Sequence, residues 1–292
     1  MKPARFNYHA PSTVQDCVQL LAQYGDDAAV IAGGQSLLPL MRFRLAAPQQ
    51  VVSIRCIEEP LARIERVGAS LFIGARATYT AVQRSQEVHS ACPGLAQAIE
   101  LIATPAVRSR GTVCGNLCHA DPASELPALA LMLQARFHLQ SASGTRVVAA
   151  ADFFLGPYMT ARRSDELLTA VEFPVRPALE RFAIQEITRL AGGFPLAGLA
   201  IALTPGPGTT LSSVAVACFG VHPVQLRLSA VEKVLQEQGS GPAALAAAGD
   251  ALEAAIEPHS DHFASDSYRR CATRTLLGRA LAQALGNLAQ TQ

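Results

Sequence analysis

Apolar positions in the first sixty residues follow a strand–helix–strand rhythm. Ser12 or Thr13 stands ahead of Val14, Cys17, Val18, Leu20 and Leu21. That stripe has the 3.6-residue spacing of a helix with one buried face, capped by the hydroxyl in front and closed by Gly25. Residues 28–32 predict a short buried strand, and 51–54 another. Between them, 37–45 predict a helical or irregular segment with Pro39 near its entry, where proline is tolerated. The opening therefore reads as βαβ.

The pattern then shortens. Residues 64–67 and 71–74 predict a hairpin around Gly68-Ala69-Ser70, and Thr78 caps a helix through Val82. A helix over 95–102 stops before Thr104-Pro105, because the residue ahead of a proline disfavours helical backbone. A helix follows at 125–133, then a hairpin of 136–139 and 146–149 turning at Ser143-Gly144, then a strand at 167–173. Pro174 and Pro177 mark a boundary. Beyond it lie strands at 183–187, 196–203 and 213–219, a Pro- and Gly-rich loop at 205–209, and helices at 228–236, 243–255 and 267–285. The expected partition is 1–57, 58–175 and 176–292.

Composition narrows the class. Half of the 292 residues are hydrophobic, enough for a sizeable core, and the formal net charge of +1 leaves no basic stripe for nucleic acid. Residues 1–10 are polar, include Pro3 and precede no apolar run, so no signal peptide is expected. The longest apolar stretch, 126–133, falls far short of the ~20 residues of a membrane span. The seven cysteines are scattered and form no C-x-x-C pair, so neither a metal nor an iron–sulfur site is expected in this chain. Most read as small buried residues of a reducing, cytoplasmic protein.

Two glycine turns carry the chemistry. The first is Ala32-Gly33-Gly34-Gln35-Ser36, and the second is Thr112-Val113-Cys114-Gly115-Asn116. Glycine lets backbone approach an anion closely, and successive peptide N–H groups in a turn form an anion-binding concavity. Both turns are expected to offer such N–H groups to a phosphate-bearing ligand. Neither is a G-x-G-x-x-G fingerprint or a P-loop. Alone, the first turn suits an ordinary strand-to-helix bend better than a phosphate cradle. After the second turn, Asp121 reads as an N-cap of a helix beginning at Pro122. Glu125 reads as its reciprocal cap or as a partner of a ribose or ribityl hydroxyl, and His119 as a satisfied loop histidine. No nucleophile–base constellation is present, so catalytic residues are expected to be absent and a cofactor to supply the chemistry.

The stretch from Ala32 through Ser36, Leu37, Leu38 and Pro39, together with Arg110-Gly111-Thr112-Val113-Cys114-Gly115-Asn116-Leu117 and Ala120-Asp121-Pro122-Ala123-Ser124-Glu125-Leu126-Pro127, resembles the FAD-binding medium subunit of molybdenum hydroxylases. That family includes the flavoprotein subunits of carbon monoxide and xanthine dehydrogenases. Phe6-x-Tyr8-x-x-Pro11, Arg44-Leu45-Ala46 with Pro48, and Ile73-Gly74-Ala75 with Thr78 support the match, which spans essentially the whole chain.

The resemblance implies an α+β protein. Its fold would be the vanillyl-alcohol-oxidase (PCMH-type) FAD-binding fold of two α/β subdomains, with a small C-terminal α+β domain. It implies an oxidoreductase subunit that passes electrons through FAD to an external acceptor. The molybdenum cofactor and 2Fe-2S clusters would sit in a large and a small partner subunit, as a dimer of heterotrimers. Residues 32–36 and 112–116 would hold the diphosphate and ribityl. Glu125 would be an acidic neighbour of the cofactor, Ile102 and Leu168 would line it, and Phe194 would cover the flavin ring. The chain departs from the family pattern at Cys114, which replaces a glycine, and at Gly193, which replaces an acidic residue. Gln185 and Glu186 stand where a basic residue is common. An assembly or regulatory paralogue with weak or no FAD binding is the alternative these departures motivate. A self-contained flavin oxidase is disfavoured, because no acid–base pair flanks the turns.

Overall fold

The computed structural model describes residues 2–286. The chain divides into two compact units, the first made of Met1–Ile99, Thr104–Ala120 and Ala135–Val175, the second of Glu100–Ala103, Asp121–Gln134 and Arg176–Gln292.

The first unit begins with the expected βαβ. Strands β1 (Asn7–His9), β2 (Ala28–Ile31) and β3 (Gln50–Ser53) form a parallel sheet in the order β1-β3-β2. Helix α1 (Val14–Tyr24) crosses from β1 to β2. The Thr13 hydroxyl caps it by accepting the Asp16 N–H, and Cys17, Val18 and Leu21 are its buried face. Helix α2 (Leu37–Arg42) is shorter than the pattern suggests and ends before Phe43.

A second, antiparallel sheet follows. Strands β4 (Ile64–Val67) and β5 (Ser70–Gly74) form its first hairpin. Five short helices come next: α3 (Tyr79–Arg84), α4 (Gln86–Ala91), α5 (Pro93–Leu101, of which residues through Ile99 belong here), α6 (Pro105–Arg108) and α7 (Val113–His119). The chain then contributes α8 (Glu125–Met132) to the second unit and re-enters at Ala135. Strands β6 (Arg136–Ser141) and β7 (Gly144–Ala149), helix α9 (Ala150–Phe153), the small hairpin β8 (Phe154–Gly156) and β9 (Met159–Thr160), and β10 (Leu167–Pro174) complete the unit. The five-stranded sheet runs β4-β5-β10-β6-β7. Both predicted hairpins are present.

The structure corrects two local expectations. The second glycine turn is not a loop: Thr112 is the N-cap and Val113–His119 is helical. Asp121 does not cap a helix starting at Pro122 either. Its Oδ1 accepts the Ala123 N–H in a tight turn, and the helix starts later, at Glu125, with Ser124 at the capping position.

The second unit is one antiparallel sheet with helices on each face. Strands β11 (Arg181–Thr188), β12 (Pro195–Pro205), β13 (Leu211–Phe219) and β14 (Leu226–Arg227) pair in sequence order. Alternation along β12 and β13 separates the faces. Ala197, Leu199, Ile201 and Leu203, with Val214, Val216 and Cys218, point into the core made with α10 (Ser229–Gln238), α11 (Pro242–Ala255) and α12 (Asp266–Ala284). Each fully buried leucine or isoleucine there contributes roughly 1.5–3 kcal/mol. Along the middle of β12 the other face carries only Gly198, Ala200 and Ala202. Helix α8, apolar all round after its first residue, packs there, and none of its residues joins the helical core.

Candidate functional site

The first unit holds a cleft of about 300 Å³ at the C-terminal end of β2. Ala32, Gly33, Gly34, Gln35 and Ser36 line it from one side. Gly34 has φ +74°, which turns the chain sharply and favours glycine. Gly33 is required for a different reason. A Cβ there would lie 1.9 Å from the carbonyl oxygen of Arg110, so this loop packs directly on the backbone leading into α7. Gly111 answers from the other side, where a Cβ would meet the Tyr79 ring at 2.7 Å.

The two loops do not contribute equally. Among the described residues, no acceptor takes the N–H groups of Gly33, Gly34, Gln35 or Ser36. These four donors sit in one turn ahead of a helix, where the helix dipole adds positive potential. The loop at 112–116 has spent most of its donors. Val113 N–H goes to Ala77 O at 3.2 Å, Gly115 N–H to Thr112 Oγ1 at 3.1 Å, and Asn116 N–H to Thr112 O at 3.1 Å. A Cβ on Gly115 would sit 2.7 Å from Thr112 Oγ1, so this glycine serves the cap and not a ligand. The expectation of two matched donor cradles is therefore corrected to one donor loop and one wall.

Thr112, Cys114, Gly115, Asn116 and Leu168 line the same cleft, whereas Val113 is buried and does not. Cys114, the departure from glycine, directs its thiol to the carbonyl oxygen of Ile73 at 3.5 Å. Burial, with the Cys118 thiol adding to it, raises its pKa well above the thiol range, so it is an inert packing residue.

Sequence reasoning missed part of the lining. His119 and Tyr79 reach the cleft, as do Arg162 and Glu166. The His119 ring lies 5.1 Å from that of Tyr158. Arg162 Nη1 donates to Arg163 O and Glu166 O, both at 2.8 Å. The Glu166 side chain is 1% exposed and receives both arms of Arg146, at 2.6 and 2.8 Å, and the Arg163 N–H at 2.7 Å. Burial pushes its carboxyl up, but the Arg146 bonds outweigh that and hold it below the ordinary range. Arg146, Arg162 and Arg163 against Asp165 and Glu166 leave a positive excess beside the cleft, which suits an anionic ligand. Nothing near the glycine motifs marks these residues in the sequence.

The remaining predicted residues belong to the second unit. Ile102 is buried, and Phe194 is 76% exposed at the end of the loop after Arg189. Gly192 (φ +70°) seats that loop, since a Cβ there would meet Ala103 O at 2.6 Å; the unit thus brings the Ile102 and Phe194 segments together. Glu125 opens α8 with 5% exposure. Burial pushes its carboxyl up to about 7, and the Asp121 charge adds to the rise against its own backbone and Ser124 hydrogen bonds. Among the described residues there is no cluster of three or more metal-ligating side chains, and no helix long and apolar enough to cross a membrane.

Comparison with known proteins agrees with this geometry. Residues 4–176 match the family model described as the FAD binding domain in molybdopterin dehydrogenase, and residues 182–284 match that of the CO dehydrogenase flavoprotein C-terminal domain. The chain is 36% identical over 281 residues to the carbon monoxide dehydrogenase medium chain of Hydrogenophaga pseudoflava, covering 96% of this chain and 97% of that protein. It is 34% identical over 284 residues to the nicotine 6-hydroxylase medium subunit of Paenarthrobacter nicotinovorans, covering 97% and 99%. Among solved structures, the carbon monoxide dehydrogenase from Hydrogenophaga pseudoflava superposes with a TM-score of 0.95 at 37% identity, covering 99% of this chain and 100% of that one. Quinoline 2-oxidoreductase from Pseudomonas putida 86 superposes with a TM-score of 0.92 at 32% identity over the same shares. A donor loop and a basic-edged cleft in the first unit, with family matches running nearly end to end, lead to one conclusion: this chain belongs to the FAD-binding medium subunits of the molybdenum hydroxylases.

Proposed function

We infer that the chain is the FAD-carrying electron-transfer subunit of a molybdenum hydroxylase complex. The observation that carries this is the row of unclaimed N–H groups from Gly33 to Ser36 at the end of a parallel strand. The residues fit the cofactor: a glycine at φ +74°, four backbone donors without an acceptor in one turn and an arginine lining the same cleft match a diphosphate. When bound, FAD accepts electrons one or two at a time, which lets it join metal centres to a two-electron acceptor.

In this reading the chain binds and orients. Ala32 to Ser36 hold the diphosphate, with Thr112, Val113, Cys114, Gly115 and Asn116 forming the second wall and the Asn116 amide facing ribityl hydroxyls. Leu168 lines the cofactor from the first unit. Ile102, the acidic Glu125 and Phe194 take the flavin roles that the family resemblance implies; an exposed phenylalanine on a fixed loop supports the last. The partners are an iron–sulfur small subunit and a molybdopterin large subunit, paired as a dimer of heterotrimers. Seven free cysteines support a cytoplasmic location. Cys114 gives no ground for a flavin-free paralogue, because its thiol is turned to Ile73.

The test is purification of the chain with its companions. A yellow protein that releases about one FAD per chain on denaturation is expected. Gly34→Val should lose that colour while the protein stays folded. A folded, colourless wild-type protein that takes up no added FAD would overturn the reading.

A further inference from the structure

The turn after α2 puts more on the surface than a connection to β3 needs. Helix α2 divides its side chains between two faces. Leu37 and Leu40 line the cleft and Met41 is buried, while Leu38 and Arg42 are exposed. From its last residue on, Arg42, Phe43, Arg44 and Leu45 are exposed in succession, with Phe43 62% and Leu45 77% accessible. The turn has a fixed shape. Arg44 takes φ +59°, a left-handed backbone that residues other than glycine seldom adopt. Leu40 O holds it there by accepting the N–H groups of Leu45 and Ala46, at 2.9 and 3.3 Å, and Met41 O accepts that of Arg44 at 3.0 Å. Two large apolar side chains are thus shown to solvent on a rigid support, which lowers the ordering cost of binding.

The start of the chain widens this surface. Residues 2–6 run beside 44–49, tied at one end by Arg44 Nε donating to Lys2 O at 3.4 Å and at the other by Asn7 N–H donating to Gln49 O at 2.9 Å. They add Lys2, Arg5 and the exposed Phe6. The charge of the patch has one sign. Lys2, Arg5, Arg42 and Arg44 have no carboxylate partner among the described residues. No Asp or Glu occurs in 1–15 or in 28–57, and the second span also carries Arg55. Other arginines of this unit, such as Arg76 with Glu58 and Arg146 with Glu166, do find a carboxylate. Arginines beside exposed aromatic and aliphatic groups are the make-up of a protein interface, and unpaired positive charge selects a negative partner.

We propose that this basic and apolar patch docks the iron–sulfur small subunit, a role that rests on the chain being the FAD-carrying subunit. Two observations choose this partner. The patch calls for an anionic surface, and a 2Fe-2S cluster on four thiolates is itself an anion, of net charge about −2 when oxidised. The patch also lies on the helix whose other face lines the cleft, so whatever docks there is brought close to the cofactor. An electron donor must sit near its acceptor, whereas the subunit that oxidises the substrate need not. Phe43 and Leu45 supply the dry centre of the contact. Lys2, Arg5, Arg42 and Arg44 supply the charge that steers and orients the approaching partner.

Carbodiimide coupling of the intact, FAD-loaded complex tests it, because the reagent joins an amine directly to a touching carboxylate. Lys2 and Lys233 are the two lysines of the chain, so Lys2 is a specific probe of the patch. Peptide mass analysis should show Lys2 joined to an aspartate or glutamate of the small subunit. Arg42→Glu combined with Arg44→Glu should raise the dissociation constant of this chain from the complex at least about tenfold at low salt, read by sedimentation. Phe43→Ser combined with Leu45→Ser should raise it too, with the salt dependence of the wild type. Both variants should keep FAD, read from visible absorbance, since only exposed side chains change. Lys2 coupled to the large subunit, to a second copy of this chain or to no carboxylate would overturn the docking role. So would a charge-reversed variant that dissociates like the wild type, or a wild-type complex that floats with vesicles of anionic phospholipid when that variant does not. A complex without flavin would instead refute the function on which the docking role rests.

Discussion

A methyl group at Gly33 would lie 1.9 Å from the Arg110 carbonyl oxygen, and the obstacle is backbone. A flexible side chain can swing away from such a contact, whereas here the loop itself must lift. Gly33→Ala should therefore open the cleft, lowering both the melting temperature and the FAD affinity, the latter by at least about tenfold, equivalent to about 1.4 kcal/mol. Titration of the apoprotein with FAD and a melting curve check this together. Cys114 is the opposite case: a residue that looks disruptive in the motif but is harmless in place. Its thiol is buried against Ile73 O and held protonated, while Cys56 and Cys271 are exposed. Iodoacetamide at pH 8 should label Cys56 and Cys271 and spare Cys114, as read by peptide mass. Restoring the familial glycine with Cys114→Gly should cost about 1 kcal/mol of stability, since glycine weakens a helix interior, and should not tighten FAD binding.

Thr112 shows how an element, rather than a turn, builds the second wall. Its hydroxyl accepts the Gly115 N–H and starts α7. Thr112→Ala should cost about 1 kcal/mol of stability, the usual worth of such a cap, and Thr112→Ser should restore most of it. Denaturant unfolding of the three proteins is the measurement. The same element marks where sequence reasoning stopped. Long periodic segments such as α1, β12 and α12 were legible, because two or more helical turns or several strand alternations repeat the pattern. Helices α4, α6 and α7 run from four to seven residues, too short for a stripe to show, so the stretch at 112–116 reads as a glycine turn until Thr112 is seen capping it. Glycine itself was ambiguous: the letter shows that a side chain is forbidden, but not whether a ligand or another stretch of backbone forbids it. Gly33 is confined by the Arg110 carbonyl and Gly115 by the Thr112 hydroxyl, neither of them by a ligand. Arg162 was invisible for another reason, since only the return of the chain brings it to the cleft.

The two units should respond to pH in different ways. In the first, the Arg146 bonds hold Glu166 below the ordinary carboxylate value of 4.5 against the push of burial, and Ser70 and His138 do the same for Glu172. A carboxyl lowered in the folded state adds stability that is fully present above its unfolded value and is lost as pH falls through the folded one. That contribution is complete above about pH 5 and flat from there to neutrality. In the second unit, burial raises Glu125 and Glu186 to about 7 and about 8. The unfolded chain releases those protons from 4.5 upward while the folded unit keeps them. Their contribution is therefore full at acid pH and declines until the folded values are passed. Between pH 5 and 8 the second unit should lose stability while the first does not. Native-state hydrogen exchange on the apoprotein, followed separately in β10 and β12, would show protection in β12 falling over that range and protection in β10 holding. In Glu186→Gln the β12 decline should shrink, because one of the two protons that folding retains is gone. Equal pH slopes in β12 of the wild type and the variant would mean that Glu186 is ionised in the folded unit.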